Sequence, residues 1–124
     1  MEGIRLLIID EHVDASNTLA RRLSSIPGFQ VVGTTADAEE GLRQIGALLP
    51  DLVLLDTKMT HADGLDVCRR ACSQLGGHRV AVLTSYGDPS DIRKAQEAGA
   101  KGYFLKEVNT QRLAREIRRL AGHA

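Results

Sequence analysis

Tryptophan is absent from this 124-residue sequence, and its aromatic side chains amount to two Phe and two Tyr. That leaves little to sandwich a flavin ring. Net charge is also missing, with 16 Lys and Arg against 16 Asp and Glu. A balanced chain is a poor candidate for nucleic-acid binding, which rests on neutralising phosphates. No apolar run reaches the roughly 18 residues that cross a bilayer. The opening "MEGIRLLIID" carries an acidic residue and a strand-like run instead of a signal peptide. No membrane association is expected, and the cytoplasm is the expected location. Cysteine is scarce. Cys68 and Cys72 stand four apart, so they share a helix face, but they fall in register with Leu65 and Leu75 and read as core positions. His61 and His78 lie outside that register, and no recognised His/Cys ligand spacing appears.

What the sequence does have is alternation. Apolar residues make up 43% and charged residues 26%, the balance of a globular chain, and the length suits one domain spanning residues 1–124. "IRLLIID" (4–10) is a nearly unbroken apolar run, as in strands buried on both faces. "FQVVGT" (29–34), "LVLLD" (52–56), "RVAVLT" (79–84) and "GYFLK" (102–106) are further strand candidates. Helical spacing links Leu19, Leu23 and Ile26, then Leu42, Ile45 and Leu49, then Leu65, Cys68, Cys72 and Leu75. A weaker line runs through Ile92, Ala95 and Ala98, and a last one through Leu113, Ile117 and Leu120. Asp37 with Glu40 resembles a capping box, and Pro27-Gly28, Gly76-Gly77 and Gly99 punctuate helix ends. The pattern predicts an α/β fold: a five-stranded parallel sheet with helices on both faces, doubly wound.

In such sheets, sites form at the carboxyl ends of the strands. "LVLLDTKM" (52–59) shows why this matters, because its apolar run ends on a carboxylate that is costly to bury unpaired. The strand candidates end in Asp10-Glu11, Asp56, Thr84-Ser85 and Lys106. Three carboxylates at one rim repel one another and call for a counter-charge. A hard divalent cation, Mg²⁺ or Mn²⁺, fits oxygen ligands, and Lys106 adds a second positive charge. Cation and lysine together suit a phosphoryl group, with Thr84 bonding one of its oxygens and Asp56 as nucleophile.

These residues resemble the receiver domain of two-component response regulators over essentially the whole chain. The matching elements are Asp10-Glu11, "LLDTKM" around Asp56, "DG" at 63–64, "LTS" at 83–85 and "GAKGYFLK" at 99–106. The resemblance implies a flavodoxin-like (βα)5 receiver fold and phosphotransfer from a histidine kinase to Asp56. It implies Mg²⁺ held by Asp10, Glu11, Asp56 and the Lys58 main-chain carbonyl, with Thr84 and Lys106 on the phosphoryl oxygens. Thr84 and Tyr103 would form the switch that reshapes a protein-contact face, with dimerisation on phosphorylation. Lys58 and Tyr86 would tune dephosphorylation. Such a domain is not an enzyme in the ordinary sense, although it promotes its own phosphorylation and dephosphorylation.

Two positions depart from the family pattern: Thr60 follows Met59 where proline is usual, and Glu107 follows Lys106. "GYFLKE" resembles the subfamily whose receivers precede a helix-turn-helix DNA-binding domain, so transcription is the expected output, through a domain outside these residues. Rival readings fare worse. Haloacid-dehalogenase-type phosphatases need a second acid two residues after the nucleophile, where Lys58 stands. Flavodoxin-like carriers cradle phosphate in the first loop, which here opens with Asp10-Glu11. A receiver-like binding module that acts without phosphorylation remains the alternative. Arg112, Arg115, Arg118 and Arg119 read as the solvated face of the last helix.

Overall fold

Runs of aliphatic residues supply the strands of one parallel sheet: β1 (Ile4–Ile9), β2 (Phe29–Thr35), β3 (Leu52–Asp56), β4 (Val80–Thr84) and β5 (Gly102–Leu105). The structure, a computed structural model, describes residues 3–85 and 88–121. Between the strands run α1 (Val13–Ser24), α2 (Ala38–Leu48), α3 (Gly64–Leu75) and α4 (Pro89–Glu97), and α5 (Thr110–Leu120) follows β5. A short 3₁₀ turn, Gly77–Arg79, leads into β4 and has no counterpart in the sequence pattern. The strand order β2-β1-β3-β4-β5 reverses direction between β1 and β3. The expected doubly wound α/β architecture is therefore present. No helix among the described residues is long and apolar enough to cross a membrane.

The strands are buried on both faces because helices cover both. Leu7, Ile9, Val53, Leu55, Val80 and Val82 face α2, α3 and α4, meeting Leu42, Ile45, Val67, Cys68, Ala71 and Ala95. Leu6, Ile8, Leu52, Leu54 and Leu83 face α1 and α5, meeting Leu19, Leu23, Leu113 and Ile117. Alternate side chains of one strand thus enter opposite cores, which explains the continuous apolar runs. The cysteines are core residues as expected: Cys68 is buried, Cys72 is half-buried, and both are free. Burial pushes the Cys68 thiol up to about 12.

Helix ends follow local chemistry. Asp37 caps α2, its carboxylate accepting from the Glu39 N–H at 3.2 Å. Glu40 does not complete a capping box; its carboxylate bonds Arg43 and Gln44 instead. Leu49, expected on the inward stripe of α2, is 68% exposed, and Leu48 packs on the core in its place. Pro50 is the cause, since a residue before proline is disfavoured in the right-handed helical region. Leu49 takes the left-handed conformation, φ 48° and ψ 60°. The Arg5 guanidinium gathers the Leu48 and Leu49 carbonyls at 2.5 and 3.0 Å.

A leucine in the left-handed region is strained by about 1–2 kcal/mol, and this side chain buries little. Leu49→Gly should therefore stabilise the chain by about 0.5–1 kcal/mol after glycine's entropy cost is deducted. Urea denaturation would report this as a higher midpoint at unchanged slope. A lower midpoint would mean that the Leu49 side chain contributes packing that its exposure does not suggest.

Candidate functional site

Sheet register assembles the rim. Ile9 pairs with Leu55, so Asp10 follows beside Asp56. Asp56 pairs with Leu83 and Thr84 follows; Thr84 pairs with Leu105 and Lys106 follows. The Lys106 N–H donates to the Thr84 carbonyl at 2.7 Å, extending the ladder by one step. Residues from four different segments are thereby delivered to one carboxyl edge, at the reversal point between β1 and β3.

Asp10, Asp56 and Thr84 are all buried. The Lys106 ammonium lies 2.7 Å from Asp10 Oδ2 and 2.7 Å from Asp56 Oδ2, and its side chain is only 13% exposed. Burial works against this ammonium. The hydrogen bonds it donates to Asp10 and Asp56, and their charges, outweigh burial and raise its pKa. The remaining oxygens are also supplied. The Lys58 N–H donates to Asp56 Oδ1 at 2.8 Å, and the His12 N–H donates to Asp10 Oδ1 at 2.9 Å. Two carboxylates with few charges around them thus share one cation, as buried ions must.

The other expected residues are placed less uniformly. Glu11 follows Asp10 but turns away from it. Its carboxylate accepts from the Thr60 N–H and hydroxyl at 2.9 Å and from the His61 N–H at 3.2 Å. Those bonds hold its carboxyl below the usual range. The Lys58 ammonium points toward α4, pairing with Asp91 at 2.8 Å. Tyr103 is half-buried against the α2–α3–α4 core. Burial raises its phenol, opposed by a hydrogen bond with the Thr84 side chain. Tyr86 lies outside the described residues. Asp63 of the "DG" pair caps α3, accepting from the Leu65 and Asp66 N–H groups. A Cβ on Gly64 would sit 1.8 Å from the Thr57 carbonyl oxygen, so only glycine lets α3 begin this close to the loop after β3.

One residue was missed. His12 Nδ1 approaches Asp10 Oδ1 at 3.1 Å and Asp56 Oδ2 at 3.4 Å. Asp10, His12 and Asp56 each bring one ligand atom into a group spanning at most 4.8 Å, a spacing suited to a metal ion. The signal in the sequence was the short Asp-x-His step at a strand end, which a search for His and Cys spacings alone passes over.

The family model described as the response regulator receiver domain matches residues 6–118. The transcriptional regulatory protein LiaR of Bacillus subtilis (strain 168) is 36% identical over 115 residues, covering 93% of this chain and 54% of that protein. The DNA-binding transcriptional activator DevR/DosR of Mycobacterium tuberculosis is 29% identical over 115 residues, covering 93% and 53%. The chain therefore spans about half the length of these curated relatives. Among solved structures, the signal receiver domain of a response regulator, NarL from Mycobacterium tuberculosis, superposes with a TM-score of 0.89 at 29% identity, covering both chains in full.

Removing the shared ammonium tests the electrostatics. Lys106→Met should cost about 2 kcal/mol, below the 3–5 kcal/mol of a fully buried pair because the rim meets solvent. Added Mg²⁺ should restore part of it by neutralising the same oxygens. The pH dependence has a definite sign. The Lys106 pKa is raised in the fold from 10.5, so its contribution is complete below that value and fades as pH climbs through the raised one. Thermal melts should show an alkaline decline above about pH 10.5 that is weaker in the variant. Equal declines in both proteins would refute this account.

Proposed function

The chain belongs to the response regulator receiver domain family, and from that premise we propose that Asp56 accepts a phosphoryl group from a sensor histidine kinase. The single observation that carries this reading is the sharing of one Lys106 ammonium by two buried carboxylates, one of which ends β3. In the transfer, an Asp56 oxygen forms a bond to phosphorus. The phosphorus–nitrogen bond to the kinase histidine breaks, its electron pair staying on the imidazole. Charge grows on the phosphoryl oxygens during this exchange, and fixed positive groups lower its cost.

The residues present fit a divalent cation, since the Asp10 and Asp56 carboxylates converge from neighbouring strands in a buried rim. Asp10 and Asp56 would hold Mg²⁺ or Mn²⁺, with the Lys58 carbonyl as a further ligand. Glu11 joins only by giving up Thr60 and His61. The cation would neutralise phosphoryl oxygens that otherwise meet bare carboxylate. Lys106 contacts one phosphoryl oxygen and the Thr84 hydroxyl another. As Thr84 turns to that oxygen, its bond with Tyr103 is released and Tyr103 packs further in. The surface of α4, β5 and α5 changes with it, which favours a contact between two copies. This is a two-state shift biased by the phosphoryl group. Similarity to LiaR and DevR/DosR supports transcription as the output, through a DNA-binding segment beyond these residues. A binding module that acts without phosphorylation would give no reason to bury Asp10, Asp56 and Lys106 together.

Treatment with acetyl phosphate and Mg²⁺ should add one phosphoryl group to the intact mass. Asp56→Asn and chelator should each abolish the gain. Addition of the same mass to Asp56→Asn would place the acceptor elsewhere.

Decay of the phosphorylated form gives a second measure. Neither Lys58 nor Tyr86 offers a carboxylate or amide to orient an attacking water, so hydrolysis should be slow. Lys58→Asn combined with Tyr86→Glu should speed phosphate release. Unchanged or slower release in that double variant would remove both positions from the hydrolytic step.

A further inference from the structure

His12 stands at the start of α1 with its ring over the acidic pair, and the phosphotransfer reading gives it no task. Its main-chain N–H is bonded to Asp10 Oδ1 at 2.9 Å, which pins the residue against that carboxylate. Its Nδ1 lies 3.1 Å from Asp10 Oδ1 and 3.4 Å from Asp56 Oδ2. Ligand atoms about 2.1 Å from a common zinc-sized centre sit roughly 3–4 Å from one another. The two carboxylates are buried, while the imidazole is 61% exposed and closes the solvent side. Meanwhile the Glu11 carboxylate is occupied by Thr60 and His61. The donors that converge are two carboxylate oxygens and a nitrogen, where three carboxylates and the Lys58 carbonyl were expected, and Asp56 Oδ2 is shared with Lys106 Nζ at 2.7 Å.

That difference changes which cation the rim prefers. Mg²⁺ favours oxygen and keeps much of its water, whereas imidazole suits the later first-row divalent ions. We propose that His12 is a direct metal ligand and that the Asp10–His12–Asp56 group takes an imidazole-favouring divalent cation, such as Co²⁺ or Zn²⁺, more tightly than Mg²⁺. The inference rests on Asp10 and Asp56 as a cation-holding pair. It does not depend on phosphorylation of Asp56.

The test uses the unphosphorylated full chain. Co²⁺ titration followed by visible absorption should show one site, and Mg²⁺ should displace the ion only at about tenfold or greater excess. His12→Ala, at an exposed position where folding is readily checked by circular dichroism, should weaken Co²⁺ about tenfold or more while Mg²⁺ binding stays within about twofold, since an oxygen-preferring ion loses little with an imidazole. Asp56→Asn should weaken both ions. In nitrogen-detected NMR, Zn²⁺ should move the His12 Nδ1 signal. Equal weakening of both ions by His12→Ala would make His12 a support for Asp10 rather than a ligand. Unchanged Co²⁺ binding in His12→Ala or Asp56→Asn would place the ion elsewhere. Both results overturn the proposal. Failure of acetyl phosphate to label Asp56, with the Co²⁺ spectrum intact, would instead count against the phosphoacceptor reading alone.

Discussion

Two buried carboxylates held by one ammonium form the constraint to which the rest of the rim answers. Asp10 and Asp56 each meet Lys106 Nζ at 2.7 Å. Without that cation the strand ends would bring like charges together in a site with little water. With it, the pair is held in place, yet a competing cation can relieve part of the same repulsion. An arrangement of this kind is stable and also ready to exchange partners.

The packed sheet below makes this economy achievable. β3 is buried along its whole length and carries Asp56 as its last residue. Helices on both faces fix its height relative to β1 and β5, so the distance between acid and base depends on cores that resist displacement. The loops above are tied by weaker contacts. Glu11 bridges from the end of β1 to the loop after β3. The Lys58–Asp91 pair joins that same loop to α4. Exposed pairs of this type contribute little stability, so they can be exchanged at low cost when the charge at the rim changes. Tyr103 stands close to this network, with the charges of Asp91 and Lys58 both acting on its phenol. Polar contacts thus run from the loop after β3 through the Lys58–Asp91 pair to α4, beside Tyr103.

Several elements were legible residue by residue. The runs at 4–10, 29–34, 52–56, 79–84 and 102–106 became strands within a residue or so at their ends, because fully buried strands leave a continuous apolar signature. Leu113, Ile117 and Leu120 lie on the buried face of α5 as their spacing requires. Leu49 and Glu40 were misread for local reasons: a following proline in one case, and competition from Arg43 and Gln44 in the other. In α3 the most buried positions are Val67, Cys68 and Ala71, while Leu65 and Leu75 sit at the margin. Periodicity alone tolerates a rotation of that size about a helix axis.

By itself the sequence determined which strands exist, that they are parallel, and which polar residues end them. These are properties of pattern, and pattern is carried by residue type and spacing. Tertiary structure alone decided how the polar groups pair once they reach the rim. Lys106 joins Asp10 and Asp56; His12 enters the acidic group; Glu11 leaves it for Thr60 and His61; Lys58 turns to Asp91. Each outcome depends on side-chain reach and on competition among donors brought together from different strands. Spacing along the chain carries no information about that competition, because partners such as Asp10 and Lys106 meet only when the sheet is complete.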